Sequence, residues 1–174
     1  MKQVLFSTVL FLSLVACGQA DKSKRPSPPA MAKETISSGA VISIDYSQPS
    51  LKGRTIGKDV EPMDGKVWRT GANETTEIKF YKDVTLGDKK ITAGTYSLYT
   101  IPNTGEWTII INSKLDTWGA YEYEESKDVV RFKVPAGKPE AEVEAFTIAF
   151  DGGKGDATMM LAWENTLVKI PVKF

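Results

Sequence analysis

From residue 35 onward, apolar and polar residues alternate along the chain, and Gly, Pro, Asn and Asp punctuate the runs. A period of two is the mark of half-buried β-strands, because successive side chains point to opposite faces. Ala40, Ile42, Ile44 and Tyr46 form one face of a first strand, with Ser43 and Asp45 on the other. Pro49 ends it. Residues 51–63 are a glycine-bearing connector with room for a short strand at residues 54–56. Extended pieces follow at residues 67–70 and 77–81, where Ile78 and Phe80 face one way and Lys79 the other. Residues 86–91 form a hairpin tip, and residues 92–94 a second turn. Residues 95–101 and 107–112 pair as a hairpin around Pro102, Asn103, Thr104 and Gly105, in which Pro fixes φ and Gly admits positive φ. Residues 113–127 are the longest irregular stretch. A strand at residues 129–134, a second hairpin at residues 143–150 and 157–164, and a last strand at residues 167–174 complete the chain. No segment carries a persuasive helical stripe. About nine short strands at regular spacing predict an all-β domain, an antiparallel β-sandwich or jelly-roll-like barrel.

The first residues break this pattern. Met1 and Lys2 make a short cationic start, and residues 4–16 are almost wholly apolar. Thirteen residues of helix reach about 20 Å, short of the roughly 30 Å bilayer core, so this is the apolar region of an export signal rather than a membrane span. It ends in Leu14-Val15-Ala16-Cys17, which resembles the lipobox of bacterial lipoproteins, where the cysteine thiol is acylated. Acyl chains, palmitate among them, would anchor the protein stably to a bilayer. Residues 18–34 are polar, carry Pro26, Pro28 and Pro29 beside Lys22, Lys24 and Arg25, and show no period. The division predicted is a signal peptide over residues 1–16, a lipidated Cys17 with a flexible tether to residue 34, and one all-β domain over residues 35–174. The localisation that follows is the bacterial cell envelope, lipid-anchored at the periplasmic face or outer membrane.

Composition removes several chemistries. The 174 residues contain 22 Lys and Arg against 22 Asp and Glu, no His and one Cys. A balanced charge argues against a nucleic-acid partner. Without His there is no Ser-His-Asp triad, no Cys-His pair and no imidazole metal ligand, so no metal site and no cofactor is expected. Proton transfer is left to Asp, Glu, Lys and Tyr.

Candidate chemistry concentrates in Val67-Trp68-Arg69-Thr70-Gly71-Ala72-Asn73-Glu74. Trp68 and Thr70 point to one face of an extended segment and Arg69 to the other. Gly71 lets the backbone turn sharply, and Asn73 tolerates a left-handed conformation. Two assignments compete. In one, the stretch is a buried corner: Trp68 plugs the end of the sandwich and an Arg69–Glu74 pair satisfies the turn. In the other, Arg69, Asn73 and Glu74 converge on a carboxylate, phosphate or sugar, joined by Lys52 and Arg54 from the preceding loop. A second candidate is the aromatic loop of residues 115–123, with Trp118, Tyr121 and Tyr123 among acidic neighbours. Its rings either stack on sugars beside hydrogen-bonding carboxylates or cover one end of the sandwich. A carboxylate pair, Glu74 with Glu164 or Asp45, would be needed for glycosidase-like hydrolysis.

V-W-R-T-G-A-N-E at residues 67–74, A-G-T-Y-S-L-Y-T-I-P at residues 93–102 and W-T-I-I-I-N at residues 107–112 together resemble the domain of unknown function 2911 family. The K-G-R of residues 52–54 and the A-W-E of residues 162–164 fit the same pattern. The resemblance implies an exported bacterial protein, often a lipoprotein, and carries no catalytic residues with it. The expectation is therefore a membrane-anchored lipoprotein that binds a small polar ligand, a glycan or a protein without catalysis. A carboxylate-dependent hydrolase centred on Glu74 is the alternative.

Overall fold

In the computed structural model the described residues are 21–36, 39–153 and 155–174. They form an all-β structure of eleven strands in one antiparallel sheet that curls until its edges meet. In chain order the strands are β1 (Pro29–Thr35), β2 (Val41–Ser47), β3 (Glu77–Phe80), β4 (Val84–Leu86), β5 (Lys89–Ile91), β6 (Gly94–Asn103), β7 (Glu106–Asn112), β8 (Asp128–Gly137), β9 (Val143–Gly152), β10 (Asp156–Glu164) and β11 (Thr166–Lys173). Across the sheet they run β1-β2-β3-β6-β7-β8-β11-β10-β9, with the small β4–β5 hairpin hung on β11. The seam between the two ends is closed by the chain just after β2. Leu51 N donates to Glu144 O at 3.0 Å, and Phe146 N donates to Pro49 O at 2.8 Å. The predicted sandwich or barrel is thus realised as a nearly closed barrel.

Alternation decides which face is inside. In β10, Ala157, Met159, Leu161 and Trp163 are buried, and in β11 Val168, Ile170 and Val172 are buried opposite them. At one end of the interior, Trp68 stacks on Trp163 with ring centres 5.9 Å apart and meets Phe146 edge-on at 4.9 Å and Trp107 at 6.2 Å. Trp68 is the hub of this cluster and is 1% exposed. Its predicted role as a plug holds. β6 and β7 are buried on both faces, because Tyr99 and Ile110 point outward and are still covered. The cover comes from residues 113–127, whose Tyr123 ring meets Tyr99 edge-on at 5.0 Å.

Four features differ from the sequence prediction. β1 lies almost wholly within residues 18–34, the expected tether, and pairs along its length with β2, from Pro29 opposite Ser47 to Thr35 opposite Val41. Its inward residues, Ala30, Ala32 and Glu34, are too small or too polar to make an apolar face visible, and its first residue is a proline, as edge strands tolerate. Residues 54–56 form no strand; Ile56 makes a single bridge to Val60. Residues 67–70 contribute one bridge, Trp68 to Thr100. The turn after Trp68 also works differently. Thr70 and Asn73 hold the left-handed conformations, at φ 55° and 58°. Gly71 is needed instead for close approach. A Cβ there would stand 2.9 Å from Thr76 Oγ1 and 3.0 Å from Ser47 O. A β-branched residue such as Thr70 is disfavoured at positive φ. It is held there by buried hydrogen bonds: its Oγ1 donates to Thr100 Oγ1 at 3.1 Å, and its carbonyl accepts from Thr76 Oγ1 at 2.7 Å.

Candidate functional site

Thr70, Gly71 and Ala72 are buried, and Asn73 and Glu74, at the end of the turn, lie between two concavities. The predicted pocket residues are divided between them. Arg54, Arg69 and Asn73 line one, a small polar hollow of about 340 Å³ that also touches Glu61, Tyr121 and Trp163. Glu74 lines the other, a cleft of about 400 Å³ walled by Asp45, Glu77, Asp116, Thr117 and Trp118. Lys52 belongs to neither; it is exposed, and its backbone N donates to Glu144 Oε1 at 2.8 Å.

The expected Arg69–Glu74 pair does not form. The Arg69 guanidinium pairs with Glu61, from the connector before it. Arg54 is also engaged, donating through Nε to Leu51 O at 3.0 Å and through Nη2 to Ser50 O at 2.6 Å. The polar hollow therefore offers an anion little uncommitted positive charge. Arg69 Nε and Trp68 Nε1 are buried without a hydrogen-bond partner among the described residues.

Glu74 is held by the segment that precedes β1. Arg25 Nη1 donates to its Oε1 and Oε2 at 3.0 and 2.8 Å, and Lys22 Nζ lies 3.0 Å from Oε1. Partial burial pushes the Glu74 carboxyl up, but the hydrogen bonds from Arg25, its own backbone and Lys22 outweigh that and hold it at about 2. Neighbouring backbone completes the attachment of residues 21–28. Asn73 Nδ2 donates to Ser27 O at 3.1 Å, and Gln48 N donates to Pro28 O at 2.9 Å.

Across the cleft, Trp118 is 51% exposed, although the loop that carries it is held firmly. Thr75 N donates to Thr117 O at 3.0 Å and Gly119 N donates to Asn73 O at 3.1 Å, at the residues before and after Trp118. Thr75, Tyr99 and Thr117 share a buried hydroxyl cluster beneath, with Thr75 and Thr117 Oγ1 2.7 Å apart. Farther along, Tyr123 donates to Asp128 Oδ2 at 2.8 Å and accepts from Arg131 Nη2 at 2.6 Å. Burial first, and then the Asp128 carboxylate, push the Tyr123 phenol up to about 12, so it is a fixed structural donor. The aromatic loop is divided: Tyr123 covers the outer face of the sheet rather than one end of the barrel, while Trp118 and the 88% exposed Tyr121 are open to solvent. The two sequence candidates, the 67–74 stretch and the aromatic loop, meet at the bridge between Glu74 and Trp118.

The cleft also brings Asp45 beside Glu74, whereas Glu164 lies in a separate concavity with Trp107 and Asn165. Among the described residues, no group of three acidic or thiol side chains is placed to hold a metal ion. The clasp of Lys22 and Arg25 on Glu74 left no signal in the sequence, since Arg25 and Glu74 are 49 residues apart. Exposed charged side chains carry no period that could reveal such a partner.

The family model described as protein of unknown function, DUF2911, matches residues 27–172. The chain belongs to that family. The DUF2911 match opens at Ser27, so it takes in all of β1 and leaves Lys22 and Arg25 outside. It confirms the resemblance drawn from the tryptophan-arginine and hairpin motifs. Neither curated proteins nor solved structures give a match to this DUF2911 chain.

Proposed function

We propose that this protein is an envelope lipoprotein whose β-barrel is a glycan-binding module, anchored through acylated Cys17 and binding at the cleft beneath Trp118. One observation carries the reading. A half-exposed indole stands on a loop whose backbone is hydrogen-bonded at both neighbouring residues, Thr117 and Gly119, at the edge of a cleft whose Asp45, Glu77 and Asp116 carboxylates have no cationic partner among the described residues. Aromatic faces stack on the apolar faces of sugar rings, and carboxylates accept hydrogen bonds from hydroxyls. A loop whose backbone is already held loses little backbone freedom on binding. The polar hollow around Arg69 is the weaker seat, because Glu61 and backbone carbonyls already occupy its guanidinium groups.

The test is titration of the purified protein with sugar oligomers. Trp118→Ala should weaken binding at least about tenfold while leaving the circular dichroism spectrum intact, the scale expected for one stacking ring. Equal affinity in the variant would place the ligand elsewhere.

A hydrolase reading draws on Asp45 and Glu74 sharing this cleft. Glycoside hydrolysis needs one of its two carboxyls protonated at working pH. With Arg25 and Lys22 docked on it, Glu74 is held ionised down to about 2 and does not supply that proton. Binding without turnover is the reading favoured.

A further inference from the structure

We infer that residues 21–28 form an autoinhibitory strap across the Trp118 cleft, so that a ligand of that cleft and the strap compete for the same surface. The inference rests on the binding site proposed above and concerns its regulation.

The strap occupies the site by its chemistry. The Arg25 guanidinium lies 5.9 Å from the centre of the Trp118 ring, within range of a cation–π contact, while the same group clasps Glu74. Lys22 is itself one wall of the cleft, and so is Pro29 at the far end of the strap. Ser27, between them, lines the polar hollow on the other side. The two concavities therefore lie on either side of the strap, and Asn73 and Glu74, adjacent in the chain, line one each. Removing the strap would join them into a single longer groove.

The attachment is of a kind that opens. The 3-10 turn at Lys22–Lys24 buries no residue, and no apolar side chain of residues 21–28 belongs to the core. What holds the strap is a pair of partly exposed ion pairs on one carboxylate, one cation–π contact and two hydrogen bonds to its carbonyls. Segments with few buried apolar contacts occupy the low end of local stability. β1, which follows directly, is by contrast paired along its whole length. The boundary between a detachable strap and a fixed strand falls at Pro29.

A sugar ring laid on the face of Trp118 that Arg25 covers displaces the guanidinium. Binding and strap release are then linked, and each changes the equilibrium of the other by the same factor.

The experiment uses the purified full chain, its Arg25→Ala and Arg25→Lys variants, and chitotetraose as the probe sugar. The chain has four tryptophans, and Trp68, Trp107 and Trp163 are buried, so acrylamide quenching of fluorescence reports on Trp118. Arg25→Ala should raise that quenching, speed amide hydrogen exchange at residues 22–27, and tighten chitotetraose binding about three- to tenfold, the scale of one exposed ion pair with one cation–π contact. Arg25→Lys should fall between, since an ammonium keeps the charge and loses the planar fork. Chitotetraose should in turn speed exchange at the strap in the unmodified chain. Unchanged quenching and exchange in Arg25→Ala would overturn the strap. So would a detached strap with chitotetraose bound no more tightly, which would make Arg25 part of the seat rather than its competitor. If neither chain binds the sugar while quenching and exchange still rise, the strap is upheld and the glycan reading falls.

Discussion

Single residues in the 70–77 turn carry most of the consequences, and two can be tested directly. Gly71 sits where a methyl group would press on a backbone carbonyl, Ser47 O, which cannot swing away as a side chain can. Gly71→Ala should therefore cost about 1–3 kcal/mol, read as a fall in melting temperature of several degrees. Glu74 makes a pH prediction with a definite sign. Its carboxyl is held near 2, below its ordinary value of 4.5, so the clasp is complete above that ordinary value and is lost as pH falls through about 2. Asp45 on β2, Glu77 on β3, Asp116 on the loop and Lys22 and Arg25 on the strap are the other charges facing it. Amide exchange at residues 22–27, corrected for its intrinsic pH dependence, should stay protected at pH 5 and become unprotected towards pH 2. A loss of protection centred above pH 5 would assign the clasp to another group. At this scale the sequence was only partly readable. The left-handed Asn73 and the buried Trp68 follow from residue type, because an Asn tolerates αL and a Trp in an alternating run belongs to a core. Thr70 at positive φ runs against residue type, and it exists only because Thr100 and Thr76, distant and near in the chain, tie it down.

At the level of elements, legibility tracked the contrast of the alternating pattern. The β6–β7 and β9–β10 hairpins were plain because bulky residues mark their inner faces and Pro or Gly marks their turns. β1 was hidden because two of its three inward residues are alanines and a lysine, a glutamate and a proline share the strand. The structure assigns it a real role: it covers the outer side of β2 and carries the buried Ala32. Two truncations separate strap from strand. A chain beginning at Pro29 should melt cooperatively within a few degrees of the full chain, since exposed ion pairs contribute about 1 kcal/mol or less. A chain beginning at Ala40 loses β1, exposes the β2 edge and should aggregate or show no cooperative melt. Equal stability of the two would mean that β1 is an accessory of the barrel.

For the molecule as a whole, the barrel and its family were accessible from pattern and motif, while the site was not. A fold repeats its signal over many residues. A site of this kind depends on side chains brought together once, from the strap, β2, β3 and the aromatic loop, by pairings that no local period encodes. The proposed anchor has its own check: Cys17→Ala should move the protein from the membrane fraction to the soluble one, and retention in membranes would put the anchor elsewhere. If the anchor is as proposed, the strap determines more than access to Trp118. With the strap docked, four chain steps separate Cys17 from Asp21, a leash of at most ~14 Å; with it released, twelve steps reach to Pro29, at most ~42 Å. The volume the barrel can sweep out above the bilayer then grows roughly 27-fold, as the cube of the leash. Ligand capture would convert a domain parked at the lipid surface into one that ranges across the space above it.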